Sequence, residues 1–156
     1  MDTNFSVYTK LDVMPKPKAP EVIYIIRGAT GNLKFDLLDK AYNFEDINQA
    51  TFIFKQADTF FTFDLYDIDI ETQEKTMNEH FKHEFGPEYD FISLLLTVND
   101  TINFKPTAGF PMQYEVAITL ADPEITIDQE ATIVEEQPAV FIKDSLYGEL
   151  LDSRKN

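Results

Sequence analysis

The sequence contains no cysteine and no tryptophan, and it has only 5 glycines in 156 residues. Without cysteine, neither a disulfide framework nor a thiolate metal site can form. No apolar run approaches the ~20 residues that span a bilayer. The N-terminus, MDTNFSVYTK, lacks the basic and apolar regions of a secretory signal. The length is that of one ordinary domain, which can bury a core without covalent staples.

Basic residues are also scarce: the chain has 13 Lys and Arg against 28 Asp and Glu, which gives a formal charge of −15. This balance opposes binding to nucleic acid, since that affinity comes mostly from Lys and Arg on phosphates. It opposes binding to anionic membranes for the same reason. We therefore expect neither nucleic acid nor membrane among the partners, and we expect no cofactor.

Phenylalanine is plentiful, with 14 copies, and the stretch from Gln49 to Ile70, QATFIFKQADTFFTFDLYDIDI, is rich in it. Polar and apolar residues alternate along this stretch, with Phe52 and Phe54 on one face, which predicts two strands folded back on each other. The alternation slips by one residue at Leu65 and Tyr66. Such a slip indicates either a β-bulge or a strand that crosses to another sheet.

About seven to nine short segments of this kind are separated by turn signals, and little helix is indicated. This pattern predicts an all-β fold, an antiparallel immunoglobulin-like β-sandwich. Another of the segments, EVIYIIR over residues 21–27, is a nearly continuous apolar strand. We expect three parts: an extended N-terminal arm over residues 1–20, the β-sandwich domain over residues 21–143, and a C-terminal tail over residues 144–156.

The predicted arm has three prolines within residues 15–20, which favour an extended, polyproline-like spacer. It also carries apolar residues that a purely solvated tail would not need. The alternative is a terminus without a docking role. The arm residues that we predict to bind a partner are Leu11, Val13, Met14, Pro15 and Pro17.

The segment over residues 71–88 is long, charged and irregular, and long loops often carry function. A short helix over residues 74–85 would place Met77, Phe81 and Phe85 on one face. The only two histidines of the chain, His80 and His83, lie here. We predict His80, Phe81 and His83 as further partner-binding residues. Their flanking glutamates offer zinc as an alternative, but the HExxH motif is absent.

Acidic residues alternate at Asp67, Asp69 and Glu71. They could hold Ca²⁺ through oxygens, but a charged outer face that blocks aggregation explains them more simply. The sequence has no Gly-x-Ser-x-Gly elbow and no cysteine nucleophile. We therefore predict no catalytic, cofactor-binding or metal-binding residue, and no enzymatic activity.

Five segments follow one another in an order and spacing that resemble the N-terminal domain of phage baseplate upper proteins, a family of small β-sandwich proteins of tailed bacteriophages. They are RGATGNLKFDL from Arg27 to Leu37, ATFIFKQ from Ala50 to Gln56, TVNDTINFKP from Thr97 to Pro106, YEVAI from Tyr114 to Ile118 and DSLYG from Asp144 to Gly148.

This resemblance implies a non-enzymatic structural component of the virion, at the head, neck, tail or baseplate. It implies localisation in the virion and docking on other virion proteins, including copies of itself, through the arm and loops. The alternative is a carbohydrate- or receptor-binding β-sandwich module. A cluster of exposed aromatic residues such as Tyr8, Tyr42 or Tyr89 would favour that alternative.

Overall fold

The structure, a computed structural model, describes residues 22–120 and 131–155. It confirms the predicted all-β, immunoglobulin-like sandwich. In the described residues the strands are β1 (Val22–Ile26), β2 (Gly31–Asp36), β3 (Ile47–Gln56), β4 (Thr59–Asp64), β5 (Tyr66–Ile68), β6 (Lys75–Met77), β7 (Phe81–Phe85), β8 (Asp90–Leu96), β9 (Gln113–Leu120), β10 (Ala131–Glu136) and β11 (Ala139–Lys143). The helical segments there are a 3-10 turn at Phe44–Asp46, a helical turn at Val98–Thr101 and a C-terminal helix at Leu146–Lys155.

Two antiparallel sheets form the body of the molecule. One has four strands in the order β10-β9-β3-β4, and the other has three in the order β2-β8-β7. Two smaller pairs complete the described part, β5 with β6 antiparallel and β1 with β11 parallel. None of the described helices has the length and apolarity needed to cross a membrane.

The core lies between the two larger sheets, and aromatic rings from both sheets meet in it. Phe52 of β3 contacts Phe35 of β2 and Phe81 of β7, with ring centroids 6.0 and 5.1 Å apart. Phe54 is stacked on Tyr114 of β9 at 4.4 Å. Phe52 and Phe54 are fully buried, as alternation along β3 requires if one face of the strand is turned inward.

The phase slip after β4 marks a change of sheet. Leu65 is fully buried, and its N–H donates to the Ala50 carbonyl, while its own carbonyl accepts from Asn78. The chain then leaves the four-stranded sheet and continues as β5 beside β6. The Gln49 side chain replaces the lost backbone pairing, because it donates to the Tyr66 carbonyl and accepts from the Tyr66 N–H, both at 2.9 Å.

The helix predicted over residues 74–85 is wrong, because the chain forms β6 and β7 there. The prediction rested on Met77, Phe81 and Phe85. A spacing of four residues places side chains on one face of a helix, but it is also an even number, so Phe81 and Phe85 share one face of β7, whereas Met77 ends β6. The predicted arm over residues 1–20 lies outside the described residues.

Candidate interaction surface

The outer face of the β1 and β11 pair is apolar and open to solvent. Val22, Tyr24 and Ile26 point outward from β1, and Tyr24 and Ile26 are 61% and 50% exposed. Tyr24 lies opposite Phe141 of β11, and their rings are stacked with centroids 5.8 Å apart. We call the surface formed by Val22, Tyr24, Ile26 and Phe141 the apolar strip.

The strip arises because β1 is apolar on both of its faces. Ile25 points inward and is buried in the core, and Ile23 packs against the same core. A strand with a nearly continuous apolar run is typical of positions covered on both sides. In β1 the inner face is covered by the core, whereas Val22, Tyr24 and Ile26 on the outer face stay 40–61% exposed.

β1 is also an edge strand. Within residues 22–120 and 131–155 it pairs with β11 alone, so its second edge has no strand beside it. An edge strand with apolar side chains is a ready site for association with another chain. The lysine next to the strip, Lys143, holds its Nζ 5.7 Å from the Tyr24 ring centroid.

The C-terminal helix adds apolar side chains where both strands of the parallel pair end. Leu146 is 85% exposed, and Tyr147 and Leu150 are also exposed. The helix contacts the turn after β1, because a Cβ placed on Gly28 would lie 3.6 Å from the Tyr147 ring. The exposed apolar surface therefore extends from the strip onto the helix.

A buried arginine holds this helix against the sandwich. The Arg27 Nε donates to the Phe104 carbonyl at 2.9 Å, and its guanidinium pairs with Asp152 at 2.9 Å and Asp144 at 3.4 Å. Burial alone would lower the pKa of Arg27, but the hydrogen bonds and charges of Asp152 and Asp144 raise it above its ordinary value. The arginine is thus charged and paired with one carboxylate just before the helix and with one in its C-terminal half.

Two glycines allow the helix and the turn to approach closely. Gly28 has a φ of +83°, in the left-handed region that favours glycine. A Cβ on Gly148 would lie only 2.8 Å from the Arg27 carbonyl oxygen. The same carbonyl accepts a hydrogen bond from the Ser145 hydroxyl at 2.8 Å, and that hydroxyl accepts from the Gly148 N–H.

A threonine joins a third segment to this contact. The Thr101 hydroxyl accepts from the Gly28 N–H at 3.0 Å and donates to the Ala29 carbonyl at 2.8 Å. Three of the five segments that carried the family resemblance therefore meet at one place, which we call the Arg27 clasp, formed by Arg27, Gly28, Thr101, Ser145 and Gly148. Their residue types are explained by the packing of the fold.

The two histidines each bond an aspartate of their own. His80 Nε2 is 3.0 Å from Asp100 Oδ2, and its Nδ1 is 2.9 Å from the Asn78 side-chain oxygen. His83 Nε2 is 2.6 Å from Asp90 Oδ1, and its ring is stacked on Phe44. Within the described ranges, no group of three or more His, Asp or Glu side chains could hold a metal ion.

The other predicted partner-binding residues lie in the core or outside the described part. Phe81 is buried against Phe52. The five arm residues lie outside the described residues: Leu11, Val13, Met14, Pro15 and Pro17. The partner-binding role of the arm residues and of His80, Phe81 and His83 stays a prediction.

Two of the alternating carboxylates accept hydrogen bonds within the hairpin of β5 and β6, and of these Asp69 lies in its turn. Asp67 accepts from the Asn78 amide at 3.1 Å. The Asp69 carboxylate accepts from the N–H groups of Thr72 and Glu71, and these hydrogen bonds lower its pKa below the ordinary value. Asp69 thus serves as a turn residue that satisfies two backbone donors.

The tyrosines named as a test for a ligand-binding module do not cluster in the described part of the chain. Tyr42 is buried and donates to Glu135, whereas Tyr89 is exposed beside Phe91. Tyr8 lies outside the described residues. An exposed aromatic surface that the sequence did not single out is centred on Tyr24, and its signal is the apolar run VIYII over residues 22–26.

Comparisons with known proteins give structural likeness only. No family model matches the sequence, and no curated protein matches it. One similar solved structure comes from a study of multimeric cell-adhesive interactions of voltage-gated sodium channel beta subunits, with 14% identity, a TM-score of 0.40, and coverage of 85% of this chain and 98% of that chain. Another is the extracellular domain of the voltage-gated sodium channel beta4 subunit, studied as a parallel homodimer with a role in cell-cell adhesion, with 12% identity, a TM-score of 0.36, and coverage of 86% and 99%.

These findings correct the family assignment. The predicted resemblance to phage baseplate upper proteins is wrong, because the solved structures that the chain resembles are extracellular domains of channel subunits. The virion function, the virion partners and the virion localisation that followed from it are wrong as well. The motifs that suggested the family are residues of the Arg27 clasp and the core, which stabilise a sandwich whatever its biological role. At these identities and TM-scores, the likeness does not assign the function of the channel subunits to this chain.

Proposed function

We propose that this chain is a non-enzymatic binding module that associates with a second copy of itself through the apolar strip. The observation that carries the proposal is the asymmetry of β1, whose inner face is buried while Tyr24 and Ile26 on its outer face are exposed. Contiguous apolar surface of this kind marks interaction sites in soluble proteins.

The strip offers a moderate gain in free energy on association. Complete burial of a Val, Ile or aromatic side chain is worth roughly 1.5–3 kcal/mol. Tyr24 and Ile26 are about half exposed, so each has about 1 kcal/mol left to gain. Leu146 and Tyr147 of the neighbouring helix enlarge the surface that a partner can cover. We expect an association of modest affinity.

The strip differs in charge from the rest of the molecule. The chain as a whole carries −15, which repels copies of itself at low ionic strength. The outward positions of β1 and β11 hold no acid, and Lys143 is the one charged residue among them. A contact through this face therefore keeps the acidic residues at its margin, and added salt should strengthen the contact by screening the remaining repulsion.

The similar solved structures come from studies of multimeric and adhesive extracellular domains. Self-association belongs to the same class of behaviour, but the support for it here is the strip. A non-enzymatic role fits the same surface, since the proposal needs exposed apolar area and no reacting group.

The test is sedimentation velocity over a range of protein concentrations. The unmodified chain should show a concentration-dependent shift toward a dimer, and Tyr24→Glu should abolish it because a buried unpaired carboxylate is costly. Leu38→Glu is the matched control, since Leu38 is 53% exposed against 61% for Tyr24 but lies after β2, away from the strip. A chain that sediments as a monomer at every concentration, or a Leu38→Glu protein that loses the dimer as Tyr24→Glu does, would overturn the proposal.

A further inference from the structure

A hollow of about 720 Å³ lies between the turn that joins β3 to β4 and the segment that leads into β9. Phe61 and Met112 form an apolar part of its lining, and Lys55, Lys105 and Phe110 lie around them. Its volume falls in the range of ligand sites, which hold roughly 300–1,000 Å³. Neither the strip nor the Arg27 clasp contributes a residue to it.

The charge of the hollow is opposite to that of the molecule. No acid lines it and two lysines do, in a chain with 28 acids and 13 bases. Lys55 lies over the Phe60 ring at 5.3 Å, and Lys105 makes no ion pair with a described residue. By contrast, Lys40 is held by Glu135 at 3.1 Å. The hollow therefore presents positive charge that forms no ion pair with a carboxylate of the described residues.

Paired hydrogen bonds fix the walls of the hollow. The Gln56 amide donates to the Lys105 carbonyl at 2.7 Å and accepts from the Lys105 N–H at 2.9 Å. Farther along the same segment, the Thr107 N–H donates to the Ile142 carbonyl of β11 at 3.0 Å, and the Ile142 N–H donates to the Thr107 hydroxyl at 2.8 Å. A site whose backbone is held in this way loses little entropy when a ligand binds.

The aromatic ring of Phe110 is exposed at the rim of the hollow. Phe110 is 88% exposed. It follows Gly109, whose φ of +114° lies in a range that glycine adopts readily and other residues rarely do. Thr59 and Gln113, which also line the hollow, make no side-chain hydrogen bond with a described residue. An exposed aromatic ring, two lysines without an ion pair to a described residue, and two polar side chains without a hydrogen bond to one thus surround one space.

We propose that the hollow binds an anionic saccharide, a pyranose-sized ring that carries a carboxylate or a sulfate. Lys55 and Lys105 contact the anionic group, Phe110 packs on the apolar face of the sugar, and Gln113 and Thr59 hydrogen-bond its hydroxyls. The volume exceeds that of a single small ion, and the polar groups suit hydroxyls better than a purely apolar ligand. The proposal is independent of the association through the strip.

The test is calorimetric titration of the full chain with four probes: a disaccharide that contains glucuronate, a sulfated disaccharide, neutral cellobiose and inorganic phosphate. We expect one or both anionic disaccharides to bind, with cellobiose and phosphate at least about tenfold weaker, equivalent to about 1.4 kcal/mol. Binding by one anionic disaccharide alone identifies the group that the lysines contact. Binding of phosphate as tightly as the disaccharides, or no binding of either disaccharide at roughly 10 mM, would overturn the proposal.

Variants locate the site. Lys105→Gln and Phe110→Ala, both at exposed positions, should each weaken binding of the anionic disaccharide by at least about fivefold. Lys82→Gln is the matched control, since Lys82 is an exposed lysine on β7 that does not line the hollow. Equal loss of binding in Lys82→Gln and Lys105→Gln would mean that overall charge, and not the hollow, governs binding, and this would also overturn the proposal.

Discussion

At Gly148 the C-terminal helix lies directly against the backbone of the turn after β1. A Cβ there would lie 2.8 Å from the Arg27 carbonyl oxygen and 3.1 Å from Asp144 Oδ1. Alanine favours a helix over glycine by up to about 1 kcal/mol, but a clash with backbone in a packed contact costs typically 1–3 kcal/mol. The clash should therefore prevail over helix propensity.

We expect Gly148→Ala to lower the free energy of unfolding by roughly 1–2 kcal/mol, measured by urea denaturation. Gly31→Ala is the control, because a Cβ on Gly31 would meet Leu96 at an ordinary 3.8 Å. If Gly148→Ala is as stable as the parent protein, the contact between the helix and the Arg27 carbonyl does not fix the position of the helix.

Tyr114 makes the free energy of unfolding depend on pH in the alkaline range. Burial raises its pKa above the ordinary value, so the folded state keeps the phenolic proton at a pH where the unfolded chain has lost it. The stability that this proton confers is fully present below the unfolded pKa of about 10 and is lost as the pH rises above it.

Urea denaturation between pH 8 and about 11 should therefore show stability that falls above pH ~10, by up to about 1.4 kcal/mol per pH unit for this tyrosine. Tyr114→Phe keeps the ring stacked on Phe54, whose centroid is 4.4 Å away, and should make the decline shallower by this contribution. Tyr42 and Tyr66, whose pKa values burial also raises, should keep the remaining decline. An equally steep alkaline decline in Tyr114→Phe would contradict this account of the tyrosine.

Among the elements, the strands with clean alternation were predictable from the sequence. The phase slip after β4 left two alternatives, a β-bulge or a change of sheet, and the structure has the change of sheet. The alternation in β3 correctly placed Phe52 and Phe54 on one face. The spacing of Met77, Phe81 and Phe85 could not distinguish β6 and β7 from a helix, since it fits both periods. Only pairing with β5 and β8, which is set by the tertiary fold, decides between them.

The candidate surface was less predictable than the fold. The apolar run of β1 indicated a strand with two apolar faces. Whether its outer face is covered depends on which elements lie beside it in the fold. The sequence likewise showed the order of the motif segments, yet not that Arg27, Thr101 and Gly148 meet in space. A family resemblance built on such residues follows the requirements of packing, and it led to the wrong biological setting.

At the scale of the whole molecule, the arm is the untested part of the association. It carries Lys10, Lys16 and Lys18 against Asp2 and Asp12, so it is mildly basic beside an acidic body. Attraction between an arm and the body of another copy would add to the contact through the strip. Because its prolines restrict φ in the free chain, docking of the arm costs less entropy.

Deletion of residues 1–20 should therefore leave the melting temperature nearly unchanged and weaken self-association, by about tenfold if the arm contributes about 1.4 kcal/mol. The two readouts are a thermal melt and sedimentation at matched concentrations. A truncated chain that associates as tightly as the full chain would show that the arm makes no contact and that the strip acts alone.

In the associated state, the second copy should cover the strip. The cysteine-free chain allows a direct measurement, because Ile26→Cys introduces a single thiol in the strip and Leu38→Cys introduces one outside it, at positions of similar exposure, 50% and 53%. The rate of alkylation of each thiol by a maleimide is measured as the protein concentration is raised. We predict that the rate at Ile26→Cys falls with concentration, and more steeply at high salt, while the rate at Leu38→Cys stays constant. A rate at Ile26→Cys that does not depend on concentration would contradict the account.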